Sequence, residues 1–362
     1  MIQETEYNKM ANRVWFEKYA LKNKEGELLE ENLSDTFKRV AIEFAKIEKT
    51  KFKNPLSFET IFKQFTEGKI IPNGRPLMGI GNPYSNVTLS NCFIVPGPQD
   101  NYGSILKSDE NIVQISKRGG GIGFAIENLR PDGYAVNNAA ISSTGMVSFM
   151  DRFSNSINEV SQKGRRGALM LCCDVSHPDI KQFINSKIDH NKITGANISI
   201  KTNSEFMNAV IDFEENGNDR MFVSRFNDEK IEKYKISELW NSIIENNLKH
   251  AEPGILFWDI IEDEAIQNCY GDKYKVLSTN PCGEIVGGAY STCRLITINL
   301  FAFIKDIETV PYFDFDEFGE TIRIATRLND DLIDLDIISI ENIIKKIKND
   351  KTETDIKQRV TM

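Results

Sequence analysis

Beyond Gly123, short apolar runs alternate with stretches of helical periodicity. No other feature restricts the fold as much, because such alternation calls for α/β layering. Strands are expected near residues 124–127, 168–174, 196–201 and 221–226. Helices fall between and after them: near 145–162, after Pro178, near 204–213 and near 237–250. The first of these helices turns Val147, Met150, Phe153, Ile157 and Val160 to one side. Two more apolar strands, 255–258 and 294–300, flank a segment at 280–284, and Asn91-Cys92-Phe93-Ile94-Val95 reads as a short buried strand. A helix over 315–335 carries Phe318, Ile322, Ala325 and Leu332 on one face.

The residues before this pattern read as helical. Ser34 is the expected cap of a helix with Phe37, Val40, Ala41, Phe44 and Ile47 inward. After the Asn54-Pro55 break, Ser57 opens a second helix with Phe58, Ile61, Phe62 and Phe65, and Gly68 stops it. From 72 to about 111 the text changes to turn chemistry. The resulting division is a helical region over 1–70, an α/β region over 71–345 and a polar tail over 346–362.

Charge and cysteine usage exclude several classes of function. The 362 residues carry 44 Lys+Arg against 53 Asp+Glu, a net charge of −9, which disfavours binding to nucleic-acid phosphates. No apolar run approaches the roughly 18 residues of a membrane span. The N-terminus, MIQETEYNKM, has no hydrophobic core region, so no signal peptide is expected. Six cysteines without a secretory signal then point to free thiols in a reducing, cytoplasmic compartment. With three histidines and no C-x-x-C, no metal site is expected.

Two glycine-containing segments invite a nucleotide reading. Gly119-Gly120-Gly121-Ile122-Gly123 follows Lys117-Arg118 but lacks the ending of a phosphate loop, and no frame of it fits G-x-G-x-x-G. A tight turn with close backbone packing explains it at least as well. Lys163-Gly164-Arg165-Arg166-Gly167 reads equally as a solvated basic turn and as a loop that meets an anionic ligand.

The strongest constellation is Ser278-Thr279-Asn280-Pro281-Cys282-Gly283-Glu284, followed by Ser291-Thr292-Cys293-Arg294-Leu295. Cys282 stands in a turn with an amide and a carboxylate two residues to either side. Taken singly, it reads as a small buried residue and Glu284 as a surface acid. Three thiols in turn or strand-edge settings, with a carboxylate at fixed spacing, favour a redox or radical site. Cys172 and Cys173 are neighbours in a strand and point to opposite faces, so one belongs to the core. No role follows for them or for Cys269.

These blocks resemble, in order, the catalytic chain of ribonucleotide reductase. The resemblance rests on Leu89-Ser90-Asn91-Cys92-Phe93, the 117–124 block, Leu129-Arg130-Pro131, the 163–170 loop leading to His177-Pro178-Asp179, the 280–284 turn, and Cys293 through Asn299-Leu300. It covers about residues 14–345. The segments 15–22, 296–300 and 327–334 look like the adenosylcobalamin-dependent (class II) branch.

The resemblance implies that a thiyl radical takes the ribose 3′ hydrogen of a ribonucleotide, water leaves C2′, and two thiols supply electrons. By motif position Cys282 corresponds to the thiyl residue, and Cys92 and Cys293 to a reducing pair reopened by a thioredoxin-like reductant. Glu284 corresponds to the base on the 3′-OH and Asn280 to a sugar-binding amide, and Asn91 matches a substrate-positioning residue. Asp100, Arg130, Lys163, Arg165 and Arg166 fall where the family binds or responds to a deoxynucleoside triphosphate (dNTP) effector. The implied fold is the first half, about five strands, of a ten-stranded α/β barrel. The second half is then expected on a complementary chain, unless the chain is an incomplete product, and the assembled enzyme is expected to form a homodimer. Two other readings stay open: a non-catalytic nucleotide-binding or assembly fragment, and a class I-type fragment served by a separate metal radical subunit.

Overall fold

The computed structural model describes residues 6–160, 167–227 and 230–349. The chain forms two compact units, Cys92–Cys293 and Met1–Asn91 with Arg294–Met362. The compact units divide the chain near residue 92, and the helix Phe315–Asn349 packs with the N-terminal helices.

The unit Cys92–Cys293 is built on one sheet. Its strands are β1 (Cys92–Ile94), β2 (Gly121–Ala125), β3 (Leu169–Asp174), β4 (Ala196–Thr202), β5 (Gly254–Phe257) and β8 (Thr292–Cys293). They lie in the order β5-β4-β3-β2-β1-β8. The first five are mutually parallel neighbours, and β8 runs antiparallel to β1 at the edge. Five parallel strands joined by helices make the expected α/β half barrel, with β8 as a sixth strand.

One face of the sheet packs on helices. Phe124, Leu171, Cys173, Ile198 and Ile200 meet Phe153 of the helix Gly145–Glu159 and Phe206 of the helix Ser204–Asn216 in a single apolar core. The opposite face holds a smaller cluster of Met170, Cys172, Leu256, Trp258 and Val276. Both adjacent cysteines are thus fully buried, correcting the expectation that only one belongs to the core. A strand buried on both faces reads as an unbroken apolar run, as Leu169-Met170-Leu171-Cys172-Cys173 does.

Three further expectations change. The second strand starts at Gly121, not near 124, so part of the glycine run is strand and not loop. Among the described residues, the strand Met221–Phe226 forms its ladder with Lys230–Lys235, in a separate hairpin outside the sheet. The segment expected as a strand over 294–300 splits: Thr292–Cys293 joins the main sheet, while Ile296–Ile298 pairs with Ile70–Pro72 in the other unit.

In that other unit, helix Leu33–Lys51 is capped by Asn32 rather than Ser34. The Asn32 side chain accepts the Ser34 and Asp35 N–H groups, and Asp35 reaches back to the Asn32 N–H. Ser57 caps Phe58–Thr66 as expected. Phe44, Ile61 and Phe65 pack with Leu328 and Leu332 of the helix Phe315–Asn349. That helix runs on past 335 because Ile343 and Ile347 continue its buried face. Residues 346–349 of the expected tail are therefore helical, and 350–362 lie outside the described residues. From the same helix, buried Asp336 accepts the Leu89 N–H (2.8 Å), the Ser90 hydroxyl (2.5 Å) and an Arg294 N–H (3.1 Å).

Asp331 gives this unit a pH dependence. It is fully buried beside Glu48, whose carboxylate is held by Arg327 and by the Leu56 N–H, with Lys51 at 3.5 Å from Asp331. Burial and the neighbouring Glu48 charge push the Asp331 carboxyl up to about 7. Its folded pKa lies above its unfolded value of about 3.9. Its contribution to stability is therefore complete below pH about 4 and is lost as pH rises through about 7. Asp331→Asn is expected to remove this loss and stabilise the chain at pH 8 by about 2–4 kcal/mol relative to pH 5. Urea unfolding at the two pH values would read the difference, and an equal effect at both would refute the assignment.

Candidate active site

The segment after Val276 turns back on itself as a short antiparallel hairpin of β6 (Ser278–Thr279) and β7 (Val286–Gly287). Asn280, almost fully buried, organises its turn. The Asn280 N–H donates to the Ile285 carbonyl (3.0 Å), and the Gly283 N–H donates to the Asn280 carbonyl (3.1 Å). The Asn280 side-chain oxygen accepts the Ile285 N–H (3.1 Å), and its NH₂ donates to Glu284 Oε1 (2.8 Å). Gly283 has φ +81°, a left-handed conformation that glycine adopts without strain. The turn thus holds Glu284 at a fixed place and leaves Cys282 exposed at its tip.

The hairpin lies directly against β2. A Cβ at Gly123 would stand 2.0 Å from the Thr279 carbonyl oxygen, and one at Gly121 would stand 2.8 Å from the Pro281 ring. The glycines therefore let two backbones approach, and no phosphate cradle is needed to explain them.

Cys92 and Cys293 face each other across β1 and β8, in register. Directly opposed antiparallel residues hold their Cα atoms about 4.5–5.5 Å apart. That separation lies within the range a disulfide spans, about 4.4–6.8 Å. The two thiols share a hydrogen bond. Accepting it pulls Cys293 below the ordinary thiol value, while donating it, together with burial, pushes Cys92 well above. The pair therefore gives up one proton far more readily than the second.

The hairpin and this pair form one cluster. Asn280 is within hydrogen-bond reach of Cys92, and the Glu284 charge acts on Cys92, Cys282 and Cys293 alike. Cys282 is pushed above its ordinary value by partial burial, by Glu284 and by Cys92, so it stays an S–H at neutral pH. Five of the residues singled out in the sequence, Cys92, Asn280, Cys282, Glu284 and Cys293, thus meet. Asn91 precedes Cys92 directly, and its side-chain oxygen is shielded from solvent with no hydrogen-bond partner among the described residues. Among the described residues, no group of three His, Cys, Asp or Glu is arranged to hold a metal, and no helix is long and apolar enough to cross a membrane.

Asp100 and Arg130 meet elsewhere in the same unit. The Arg130 Nε–H donates to both Asp100 oxygens (3.0 and 2.8 Å), and the Asp100 charge raises the guanidinium pKa further. Both line a cavity of about 270 Å³ together with Tyr102 and Phe149, whose rings pack edge-on at 6.0 Å. The sequence reading had missed these two aromatics. Lys163, Arg165 and Arg166 lie outside the described residues.

Asn197, Lys201 and Glu127, which also bear on the hairpin, were missed as well. A period-two signal marks the first two. In an otherwise buried strand, polar Asn197, Ser199 and Lys201 alternate with Ala196, Ile198 and Ile200.

Comparison with known proteins gives this cluster its context. The family pattern described as "Ribonucleotide reductase, barrel domain" matches residues 90–353, and "Ribonucleotide reductase, all-alpha domain" matches residues 5–85. A vitamin B12-dependent ribonucleoside-diphosphate reductase of Thermoplasma acidophilum is 35% identical over 277 residues, 76% of this chain and 34% of the relative. One from Mycobacterium tuberculosis is 31% identical over 269 residues, 74% of this chain and 37% of the relative. A ribonucleoside-diphosphate reductase large chain of Neurospora crassa is 27% identical over 290 residues, 72% and 30%. The chain spans about a third of the length of these relatives. With both patterns matched in order over most of its length, the chain belongs to the ribonucleotide reductase large-chain family.

Proposed function

We propose that this chain carries the radical and redox residues of a reductase that converts ribonucleoside diphosphates to 2′-deoxyribonucleotides. The carrying observation is the Cys92–Cys293 register pair beside the Asn280–Cys282–Glu284 turn. Cys282, exposed and protonated, is the hydrogen-atom acceptor and donor at the ribose C3′ once oxidised to a thiyl radical. Glu284, held by Asn280, takes the proton of the 3′-OH, and the Asn280 amide orders the sugar hydroxyls. Cys92 and Cys293 each lose one hydrogen and close a disulfide while the C2′ hydroxyl leaves as water. The overall change is ribonucleotide plus two thiols to deoxyribonucleotide, disulfide and water. When an external thioredoxin-like dithiol reopens the disulfide, attack falls on the more accessible Cys92, and Cys293, whose thiolate is the better stabilised, is the leaving group.

B12-dependence, named in two of the relatives, suggests adenosylcobalamin, which when bound would supply the initiating radical. An accessible S–H at Cys282 fits what such a group requires of the chain. The cavity at Asp100 and Arg130 fits a dNTP effector: a guanidinium for phosphate, a carboxylate for ribose hydroxyls and an aromatic pair for a base. A reducing cytoplasm suits the free thiols of the site.

The test is a single turnover by the assembled enzyme, pre-reduced and freed of external thiol, with adenosylcobalamin and a ribonucleoside diphosphate. Deoxynucleotide is expected in amounts matching the sites, with a Cys92–Cys293 disulfide in the peptide map and a base preference that added dNTP alters. Nucleotide binding without product would establish the non-catalytic reading. Product formed with both thiols still free would overturn the redox pair.

A further inference from the structure

We propose that Asn197 and Lys201 are positioning residues, a two-point clamp from β4 that fixes the hairpin and so aims Cys282. The inference rests on the reading of Cys282 as the radical residue. Alternate residues of a strand share a face, so Asn197 and Lys201 stand on the side of β4 away from the helices. The Asn197 NH₂ donates to the Pro281 carbonyl (3.0 Å), and the Lys201 ammonium donates to the Leu277 carbonyl (2.8 Å). Donors four residues apart in β4 thus grip acceptors four residues apart in the hairpin.

Each grip has a distinct consequence. The Pro281 carbonyl belongs to the rigid peptide plane that also contains the Cys282 nitrogen, so holding it fixes the direction in which Cys282 leaves the turn. Leu277 immediately precedes β6, and its N–H is already used on Gly287 (2.8 Å). With its carbonyl also tied to Lys201, the base of the hairpin cannot slide along the sheet. Lys201 is 3% exposed, and its charge is matched by Glu127 (2.8 Å) and by the Trp258 ring, 4.1 Å away. A buried ammonium with carboxylate, carbonyl and aromatic partners has little freedom to move. The glycine contacts of β2 bring the hairpin down on the sheet, and the clamp fixes it along the sheet.

Asn197→Ala in the assembled enzyme tests this by two readouts. A displacement of about 1 Å at a reacting group costs up to about 100-fold, so kcat is expected to fall 10- to 100-fold with KM nearly unchanged. Independently, Cys282 is expected to react faster with iodoacetamide at pH 8. Loosening the turn relieves the burial and the Glu284 proximity that raise its pKa. Half a unit gives about threefold. Exposed Cys269 is the internal reference and should not change. Lys201→Met combined with Glu127→Gln removes the buried ammonium and its half-buried carboxylate partner together and should act in the same direction, while Asn197→Gln, which keeps the donor, should recover part of kcat. Unchanged kcat and unchanged Cys282 alkylation in Asn197→Ala would overturn the clamp. An alkylation change in an enzyme that reduces no nucleotide would keep the clamp and reject the proposed function.

Discussion

Cys282→Ser is expected to abolish nucleotide reduction, lowering kcat at least about 10⁴-fold, a barrier increase of about 5.5 kcal/mol. It should equally abolish exchange of the ribose 3′ hydrogen. The reason is bond strength: an O–H gives up a hydrogen atom far less readily than an S–H, so serine keeps the shape of the turn but not the chemistry. Because Cys282 is exposed, the substitution should change stability by less than about 0.5 kcal/mol, so the loss cannot be assigned to unfolding. Cys269→Ser, at another exposed cysteine, should leave the rate unchanged. Tritium release from 3′-labelled substrate, measured beside urea unfolding, separates the two effects. Substantial turnover by the serine variant would remove Cys282 from the radical role.

The second large effect is expected at Gly123. An alanine Cβ there would meet the Thr279 carbonyl oxygen at 2.0 Å, a backbone atom that moves only if the hairpin moves. Gly123→Ala should therefore destabilise the Cys92–Cys293 unit by about 3 kcal/mol, the upper end for overpacking, and suppress nucleotide reduction through displacement of the hairpin. Gly121→Ala meets the Pro281 ring at 2.8 Å, a longer approach and to a side-chain rather than a backbone atom, and should cost less. Urea unfolding of the two variants gives the ranking. Equal stability of Gly123→Ala and the parent chain would show that the hairpin does not rest on β2.

Much of this was legible in the sequence, and for definite reasons. Full burial makes Leu169-Met170-Leu171-Cys172-Cys173 an unbroken apolar run, and the period of the 145–159 helix shows in Met150, Phe153 and Ile157. Local chemistry was less reliable at the cap of the helix Leu33–Lys51: Ser34 suits a helix start, but the structure caps the helix with Asn32, whose side chain and Asp35 bond reciprocally. The strand Met221–Phe226 has the composition of a sheet member, yet its pairing with Lys230–Lys235 keeps it out of the main sheet, because strand composition does not name a partner.

At the site, the order of the motif blocks singled out Cys92, Asn280, Cys282, Glu284 and Cys293, because each sits in a local pattern of turn or strand-edge residues. Their meeting depends on contacts between segments 201 positions apart, from 92 to 293, which no local pattern encodes. The glycine run shows the same division. Its composition announces that something must come close, and only the packing of β6 across β2 identifies Thr279 and Pro281 as what does. Asn197 and Lys201 show it most sharply: their alternation marks a polar face on a buried strand, but which carbonyls that face grips follows from the hairpin lying over it. The sequence by itself thus determined the layered α/β class, the family and the chemical types at the site, since burial, periodicity and turn preference are properties of neighbouring residues. Register, the Cys92–Cys293 pairing and the aim of Cys282 were decided only in the tertiary structure, where hydrogen bonds and contacts between distant segments fix positions to within an ångström.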